Sequence, residues 1–345
     1  MSQLPPSPLL DLHHRTNAEM QAYDTVEIVS TFGEPQAEYA AIRKSAAILD
    51  LPQRGFIELT GRDRHAFLNN LVTADLVNKE TKTPLPAGKW AYAYLLNLKG
   101  RIVCDLNVIE LGDKTLLELD GRLVPMLVNL LDRYLFAEQV KLRNATTELY
   151  EFAMHGPTAV AVLGEEGVDA NISTGECRTI SIIGATATLW RDDVCGVPGL
   201  HLIVPRDRAV EVWQHLLTRH GNETAIGKRP LRPIGWAAFN ATRIEAGRPL
   251  FGIDFDLATP SFPGKKADAP EDPAARPMGV LPAETAMLDR AVSFVKGCYL
   301  GQEVVARMHA RRRWRASWSA CVWTMTPYQS PARRCLTSSR MSSGW

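Results

Sequence analysis

The sequence predicts an α+β protein in which two units with antiparallel sheets pack as one body. Segments that alternate apolar and polar residues, as half-buried strands do, are interleaved with segments of helical periodicity over most of the chain. The order strand, helix, three strands, helix also occurs twice. A chain of 345 residues with 46% hydrophobic content is long enough to bury the cores of two such units.

The first unit is predicted over residues 35–147, after an N-terminal arm at residues 1–34. It begins with a helix at residues 35–48, because Pro35 suits a first helical turn and the apolar residues after it recur every three or four positions. The other elements follow from alternation or helical periodicity. They are a strand around residues 57–59, a helix around 66–71, strands at 90–96, 101–111 and 115–119, and a helix at 123–136.

The second unit is predicted over residues 148–254 and repeats this order. It ends with a returning helix at residues 232–246, which Gly247 terminates. Six prolines between residues 255 and 286 then predict a loop, and a compact segment follows at 287–310. The preceding elements are strands at 149–154, 177–183, 185–190 and 200–204, and helices at 157–163 and 206–218.

Charge and cysteine content exclude several classes of protein. The formal net charge is +1, and residues 1–310 carry 38 acidic against 32 basic side chains, so we expect no nucleic-acid partner. The six cysteines form no zinc-binding pattern, and the histidines His65, His155 and His309 are each isolated, so no metal site is predicted. Without a signal peptide or a long apolar run, a cytoplasmic protein outside the membrane is expected.

The last 35 residues, 311–345, do not match the rest of the chain. They hold seven of the arginines and four of the eight tryptophans, and they contain no acidic residue and no steady periodicity. We expect a frameshifted or otherwise non-native tail. The alternative is a genuine basic tail that binds nucleic acid or membrane.

The segment with the clearest chemical signal is Lys-Gly-Cys-Tyr-Leu-Gly-Gln-Glu at residues 296–303. Gly297 and Gly301 bracket Cys298, and a helix can continue from Gln302. A helix N-terminus and the nearby Lys296 would both stabilise a thiolate, which makes Cys298 a candidate reactive cysteine. The alternative is a buried, inert cysteine, because free cysteines are usually buried.

This motif, with Tyr299, Glu303 and Arg307, resembles that of the YgfZ-type folate-binding proteins, relatives of the glycine-cleavage aminomethyltransferase. Arg-Ile-Glu-Ala-Gly at 243–247, Leu-Asp-Arg-Tyr at 131–134 and Tyr-Leu-Leu-Asn at 94–97 are similar as well. The resemblance covers about residues 40–310. It implies two ferredoxin-like antiparallel α/β subdomains around a cavity for tetrahydrofolate or a derivative. It also implies a required cysteine at Cys298 and a β-barrel after residue 311, which is apparently missing here.

Cavity residues are expected from the same resemblance. Glu245 matches a glutamate that hydrogen-bonds the pterin ring, and its alternative is a solvated carboxylate paired with Arg243 or Arg248. Tyr94 and Asn97 are expected to line the cavity, with Arg243 also assigned to folate binding.

Asp105 is a further candidate catalytic residue. Alternation along residues 101–108 directs Cys104 and Asp105 to opposite faces of a strand. Aminomethyltransferases resemble this strand but carry two consecutive aspartates, and Cys104 stands in place of the first. A thiol cannot replace a charged carboxylate, so glycine cleavage is disfavoured. Asp105 is equally well explained as a structural strand residue.

The resulting hypothesis is a tetrahydrofolate-binding accessory protein that supports the assembly or repair of iron-sulfur enzymes, with those enzymes or assembly proteins as partners. The alternative is a folate-dependent aminomethyltransferase or demethylase. A third possibility is an interaction scaffold that binds no folate.

Overall fold

Two β-sheets and a separate hairpin form the framework of the protein. This computed structural model describes residues 4–16, 18–223, 229–255 and 279–311. Hairpin strands β1 and β2 come first, and the two sheets contain β3 to β13. The strands are β1 (Glu19–Tyr23), β2 (Val26–Thr31), β3 (Ala46–Asp50), β4 (Arg54–Thr60), β5 (Lys89–Leu96), β6 (Ile102–Glu110), β7 (Thr115–Asp120), β8 (Lys141–Asn144), β9 (Leu149–His155), β10 (Cys177–Ile182), β11 (Ala185–Arg191), β12 (Gly199–Pro205) and β13 (Leu231–Ile234).

Helices pack on the five-stranded sheet and on both faces of the six-stranded sheet. The five-stranded sheet has the order β5-β6-β7-β4-β8 and is antiparallel throughout. The six-stranded sheet has the order β10-β11-β12-β9-β3-β13, with one parallel pair between β3 and β13. The helices are α1 (Leu10–Arg15), α2 (Pro35–Lys44), α3 (Arg64–Asn69), α4 (Val124–Asp132), α5 (Ala159–Glu165), α6 (Ala209–His220), α7 (Trp236–Glu245), α8 (Leu288–Ala291) and α9 (Gln302–Arg311).

The cores of the two sheets are separate. Phe67 of α3 and Leu127 of α4 pack on one face of the five-stranded sheet, and Val162 of α5 and Trp213 of α6 pack on one face of the six-stranded sheet. The opposite faces of the two sheets meet through a smaller apolar cluster. It contains Phe56, Trp90, Ile109, Leu116, Ala145, Cys177, Trp190 and Ile203. The remaining part of this facing surface also contains polar side chains, such as those of Asp105 and His155.

The fold confirms most of the predicted strands but corrects the first helix. The helix expected at residues 35–48 ends at Lys44, and Ala46–Asp50 forms strand β3, which lies between β9 and β13 in the six-stranded sheet. Every residue of β3 is buried, because helices and strands cover both of its faces. A short apolar run of this kind lacks the alternation that identifies a half-buried strand. Residues 35–50 therefore belong with the second sheet and not with the first unit.

Two further elements differ from expectation. The helix expected at 232–246 begins only at Trp236, since residues 231–234 form β13 beside β3. Gly235 lies between them, where an added Cβ would come within 2.3 Å of the Ser30 carbonyl oxygen. The predicted N-terminal arm contains α1 and the β1–β2 hairpin, and His13 of α1 is buried against Asp50 at 2.9 Å.

The C-terminal segment packs on the five-stranded sheet. Met287, Ala291, Val292, Tyr299 and Val305 join its core, and α9 begins at Gln302 as predicted. Most of the predicted proline-rich loop and nearly all of the predicted non-native tail lie outside the described residues. No helix among the described residues has the length and apolar character needed to cross a bilayer.

Candidate functional site

A cavity lies between the polar parts of the two sheets. Its space not filled by atoms measures ≈ 860 Å³, a figure that includes open solvent at the mouth. Both sheets and the segment after α7 contribute to its wall. Its polar lining residues are Gln53, Arg54, Tyr92, Asp105, Asn107, Glu118, His155, Trp190, Asp192, His201, Arg248 and Arg290.

The wall from the five-stranded sheet contains a buried ion pair. Asn107 of β6 lies opposite Glu118 of β7, and its Nδ2 donates to Glu118 Oε2 over 2.7 Å. Arg54 of β4 donates from Nε to the other oxygen of Glu118. Burial raises the pKa of Glu118, but the Arg54 guanidinium outweighs this effect and lowers the pKa below its usual value. Glu118 is therefore a fixed carboxylate anion at neutral pH.

Asp105 lies on the same wall and is protonated more readily. The Tyr92 hydroxyl donates to Asp105 Oδ2 over 3.0 Å, and Oδ1 is buried without a hydrogen-bond partner among the described residues. Burial raises the pKa of Asp105 to about 6, although Arg54 opposes the change. Cys104 points to the other face of β6, where it is fully buried in the core and burial raises its pKa. The predicted alternation of these two residues is confirmed.

The wall from the six-stranded sheet contains a histidine–carboxylate pair. His201 Nδ1 of β12 lies 2.8 Å from Glu151 Oε1 of β9, and the His201 ring stacks on Trp190 with centroids 4.0 Å apart. Burial, and then the nearby Glu118, raises the pKa of Glu151 to about 7. His155 is fully buried beside this pair, and burial lowers its pKa to about 3, so its imidazole is neutral.

Two arginines lie in a less buried part of the cavity wall. Arg248 and Arg290 each donate to one oxygen of Asp192 over 2.6 Å. The guanidinium of Arg290 also lies over the rings of Trp90 and Tyr92, at 5.3 and 5.4 Å from their centroids. This cluster contains two cations and one anion, so it favours an anionic group of a ligand.

Many polar atoms of the wall have no hydrogen-bond partner among the described residues. Buried polar atoms in proteins are normally paired, so a concentration of unpaired ones in one cavity indicates a polar ligand. Most are acceptors or imidazole nitrogens, which suit a planar heterocycle with several N–H groups. They are Gln53 Oε1, Asp105 Oδ1, Asn107 Oδ1, both ring nitrogens of His155, His201 Nε2, the indole nitrogens of Trp190 and Trp236, and Arg290 Nε.

Cys298 and Lys296 lie outside this cavity wall. The Cys298 side chain is exposed, which excludes the alternative of a buried, inert cysteine. Lys296 is buried, and its Nζ donates to the carbonyl oxygens of Asn69, Val72 and Ala74 over 2.7, 2.8 and 2.5 Å. Burial lowers the pKa of Lys296 to about 7. Its amine therefore hydrogen-bonds the backbone at the end of α3 and in the loop that follows.

The other motif residues lie just before α9 or in its first two turns. Gly301 has a φ of +80°, and an added Cβ would come within 2.6 Å of the Asn97 carbonyl oxygen. Tyr299 is buried in the core of the five-stranded sheet. Glu303 pairs with Arg307 one turn later on the exposed side of α9. Gly297 has open space around its Cα, and Gln302 begins α9.

The remaining predicted residues support the cavity or lie away from it. Tyr94 is buried in the core and its hydroxyl lies 3.0 Å from Thr285 Oγ1, while Asn97 Oδ1 accepts two backbone N–H groups in the turn after β5. Arg243 is buried, and it donates to the Arg248 carbonyl oxygen and to Asp254 Oδ2. It therefore holds the segment that carries Arg248 into the cavity wall.

Glu245 is half-exposed on the side of α7 that faces α2. Its carboxylate accepts hydrogen bonds from Arg43 and from the Tyr39 hydroxyl, the latter over 2.9 Å. It is not among the described residues that line the cavity. The predicted set is thus divided, with Asp105 in the cavity wall, Cys298 exposed elsewhere, and Glu245 paired at the surface.

Sequence patterns did not identify Glu118, Glu151 and His201 as residues of the candidate site. The period of two along β9 does place Glu151, Ala153 and His155 on one face, and this was the available signal. It shows only that polar side chains share a face. Their function depends on the opposite sheet, which the pattern does not identify.

The fold is an α+β body with a cavity between two sheets, and sequence comparison identifies its family. The GCVT N-terminal domain model matches residues 9–262, so the chain belongs to the GCVT N-terminal domain family. The predicted α+β class and GcvT-like body are confirmed. The crystal structure of glycine cleavage system aminomethyltransferase T from Bartonella henselae superposes with a TM-score of 0.71 at 20% identity, covering 90% of this chain and 76% of that one.

The curated relatives are named aminomethyltransferase. The chain is 27% identical over 263 residues to the aminomethyltransferase of Thermoanaerobacter sp. (strain X514), covering 73% of this chain and 66% of the relative. It is 26% identical over 262 residues to that of Alkaliphilus oremlandii (strain OhILAs), covering 74% and 67%. The chain thus spans slightly less than two thirds of the length of the first of these relatives.

Proposed function

We propose that this protein binds tetrahydrofolate or a derivative in the cavity between the sheets and takes part in transfer of an aminomethyl group. The observation that carries the proposal is the set of unpaired acceptors around Asp105, including Gln53 Oε1 and Asn107 Oδ1. The names of the relatives and the family membership support the same activity.

The cavity fits the chemistry of a reduced pterin. The bicyclic ring presents several N–H groups, which match the unpaired carbonyl and carboxylate oxygens of Gln53, Asp105 and Asn107. The glutamate tail of a folate carries carboxylates, which match the arginines Arg248 and Arg290. When bound, tetrahydrofolate supplies the nitrogen atoms that accept a one-carbon unit.

Asp105 is the residue best suited to move a proton in this cavity. A pKa of about 6 leaves its carboxylate mostly ionised at neutral pH but easily protonated. Tyr92 holds Oδ2, so Oδ1 is the atom that can receive or donate the proton. The Arg54–Glu118 ion pair lies near Asp105, and apolar side chains such as those of Leu49 and Phe239 line the same cavity.

The cysteine beside Asp105 does not weaken this proposal. From the sequence, Cys104 disfavoured glycine cleavage because it stands where the relatives of this family carry an aspartate. However, Cys104 is buried in the core behind the sheet, away from the cavity wall. The cavity side of this strand retains its carboxylate in Asp105. The objection therefore does not apply to the chemistry of the cavity.

Equilibrium titration with tetrahydrofolate tests the binding part of the proposal. Asn107→Leu removes one unpaired acceptor and should weaken binding by about tenfold, whereas Gln139→Leu at an exposed position should leave it unchanged. A glycine-cleavage assay with the aminomethylated lipoyl carrier tests the transfer part. Saturable folate binding without turnover would contradict aminomethyl transfer, and absence of binding would contradict the whole proposal.

A second candidate function is support of iron-sulfur enzymes, and the exposure of Cys298 within its motif favours it. The partner of that activity would be an iron-sulfur enzyme or assembly protein that reaches the thiol. Cys298→Ser should then abolish support of an iron-sulfur enzyme in cells that lack the native accessory protein. It should leave folate titration unchanged. Full support by Cys298→Ser would exclude this candidate.

A further inference from the structure

The histidine–carboxylate pair on the six-stranded sheet has no role in the proposal above. Glu151 Oε1 and the ring of Trp190 together fix the plane of the His201 imidazole. When Glu151 is ionised it accepts the hydrogen of Nδ1, so Nε2 of the neutral ring carries a lone pair. His201 lines the cavity, and its Nε2 is buried without a partner in the described part of the chain.

The inner part of the cavity, beside this pair, holds more carboxyl groups than cations, whereas Arg248 and Arg290 pair with Asp192 in its less buried part. Asp105, Glu118 and Glu151 are three buried or partly buried carboxyl groups, and Arg54 is the guanidinium that lies among them. Burial is the largest cause of the raised pKa values of Asp105 and Glu151, and the negative charge of Glu118 raises both further. A cationic ligand group would therefore be stabilised between the two walls.

We infer that the inner cavity binds a protonated amine, with His201 as the proton-accepting residue and Glu151 as the residue that positions it. In the proton transfer, an N–H bond of the ammonium breaks and its electron pair stays on that nitrogen. A bond forms between His201 Nε2 and the proton, and the Glu151 carboxylate stabilises the imidazolium. The inference rests on the proposed function for the identity of the amine, which would belong to the aminomethyl donor.

The pH dependence of binding follows from the groups that face the pair. Both Glu151 and Asp105 lose protons as the pH rises through about 7 and about 6, so the cavity becomes more negative and binds an ammonium more tightly. The opposite wall and the rim contribute the other charged or titratable groups. They are Tyr23, Arg54, Glu118, Tyr92, His155, Asp192, Arg248 and Arg290.

Calorimetric titration of the full chain with methylammonium chloride tests the inference at constant ionic strength. Wild type should bind at least about tenfold more tightly at about pH 8 than at about pH 5.5. Tetramethylammonium, which has no N–H to donate, should bind at least about tenfold more weakly at the higher pH. Equal affinity for the two cations, or affinity independent of pH, would overturn the inference.

Variants then assign the effect to the pair. His201→Gln should weaken methylammonium binding by at least about tenfold, and Glu151→Gln should remove the part of the pH dependence centred near pH 7. His215→Gln is the matched control. His215 lies on α6, and its Nε2 makes a comparable 2.7 Å contact with Glu166 Oε2; neither residue lines the cavity. Wild-type affinity in His201→Gln would refute the assignment.

Two further measurements cover the case in which the variants do not fold, and distinguish failure of the amine site from failure of the proposed function. If the buried variants do not fold, the ¹⁵N resonance of His201 Nε2 in the wild type replaces them, and it should shift when methylammonium is added. A fixed resonance would count against the inference. Tetrahydrofolate is titrated into the same wild-type sample. Folate binding without methylammonium binding rejects only the amine site, whereas loss of both rejects the proposed function as well.

Discussion

Replacement of Lys296 by methionine distinguishes a structural role of this lysine from a catalytic one. Its side chain is 3% exposed, and its Nζ donates to the carbonyl oxygens of Asn69, Val72 and Ala74. Three N–H groups thus meet three acceptors, which is the full capacity of an ammonium. Methionine has a similar length but no donor, so Lys296→Met leaves all three carbonyl oxygens without this partner.

The expected loss of stability can be worked out from these contacts. A buried carbonyl that loses its partner costs about 1–3 kcal/mol, and three of them give a gross cost well above 3 kcal/mol. Removing a buried ammonium recovers part of this cost, because desolvation of the charge is also removed. We expect a net loss of about 3 kcal/mol, or a shift of about 1 M in the midpoint of urea unfolding. Lys141→Met, at an exposed position in β8, is the control.

Alkylation of Cys298 completes this test. If the ammonium of Lys296 stabilised a thiolate, Lys296→Met would slow alkylation of the native protein at least about tenfold. The structure instead commits the amine to three carbonyl groups, so we expect the rate to remain within about twofold of the wild type. A slow rate together with an unchanged urea midpoint would refute the structural role and restore Lys296 as a catalytic residue.

Other predictions concern the surface and the buried charges. Glu245→Ala should change tetrahydrofolate affinity by less than about threefold, because this carboxylate is half-exposed and paired outside the cavity wall; a tenfold loss in titration would place the pterin beside it. Arg54→Met should cost about 3–5 kcal/mol in urea unfolding, and adding Glu118→Leu should recover most of it; no recovery would argue against a buried ion pair. Burial opposes ionisation of Glu110, but hydrogen bonds from His65, Thr115 and Arg64 outweigh it and lower the pKa of Glu110 to about 2. Its contribution, at most about 3 kcal/mol, is present above pH about 4.5 and is lost as the pH falls towards 2. Glu110→Gln should flatten the pH dependence of stability in this range, and an unchanged profile would contradict the assignment.

Local periodicity predicted elements whose two faces differ. Strands β5, β6 and β7 alternate between core and cavity, so the sequence placed Cys104 and Asp105 on opposite faces correctly. Strand β3 is buried on both faces, and its sequence resembles the end of the preceding helix. Its position depends on β9 and β13, which lie about 100 and 180 residues away along the chain. No local pattern contains that information.

The surroundings of the candidate site residues could be predicted from the sequence only where they depend on local structure. Asp105 could be assigned to a face from its own strand alone. The environment of Glu245 instead depends on Tyr39 and Arg43, which are about 200 residues distant and hold it at the surface. Lys296 is separated from its carbonyl partners by more than 220 residues. Long charged side chains can extend to residues that are distant in the sequence. Tertiary packing therefore determines which partner they meet.

The polar wall of the cavity has a consequence for stability. Burying unpaired acceptors such as Gln53 Oε1 and Asn107 Oδ1, and raising the pKa values of Asp105 and Glu151, both cost free energy in the folded protein. The apolar cluster around Trp190 and the helices on the outer faces of the sheets must supply enough stability to offset this cost. A ligand that pairs with these atoms removes the cost only in the folded state. Its binding energy therefore adds to the free energy of unfolding, and the same atoms that select the ligand also link its binding to the stability of the fold.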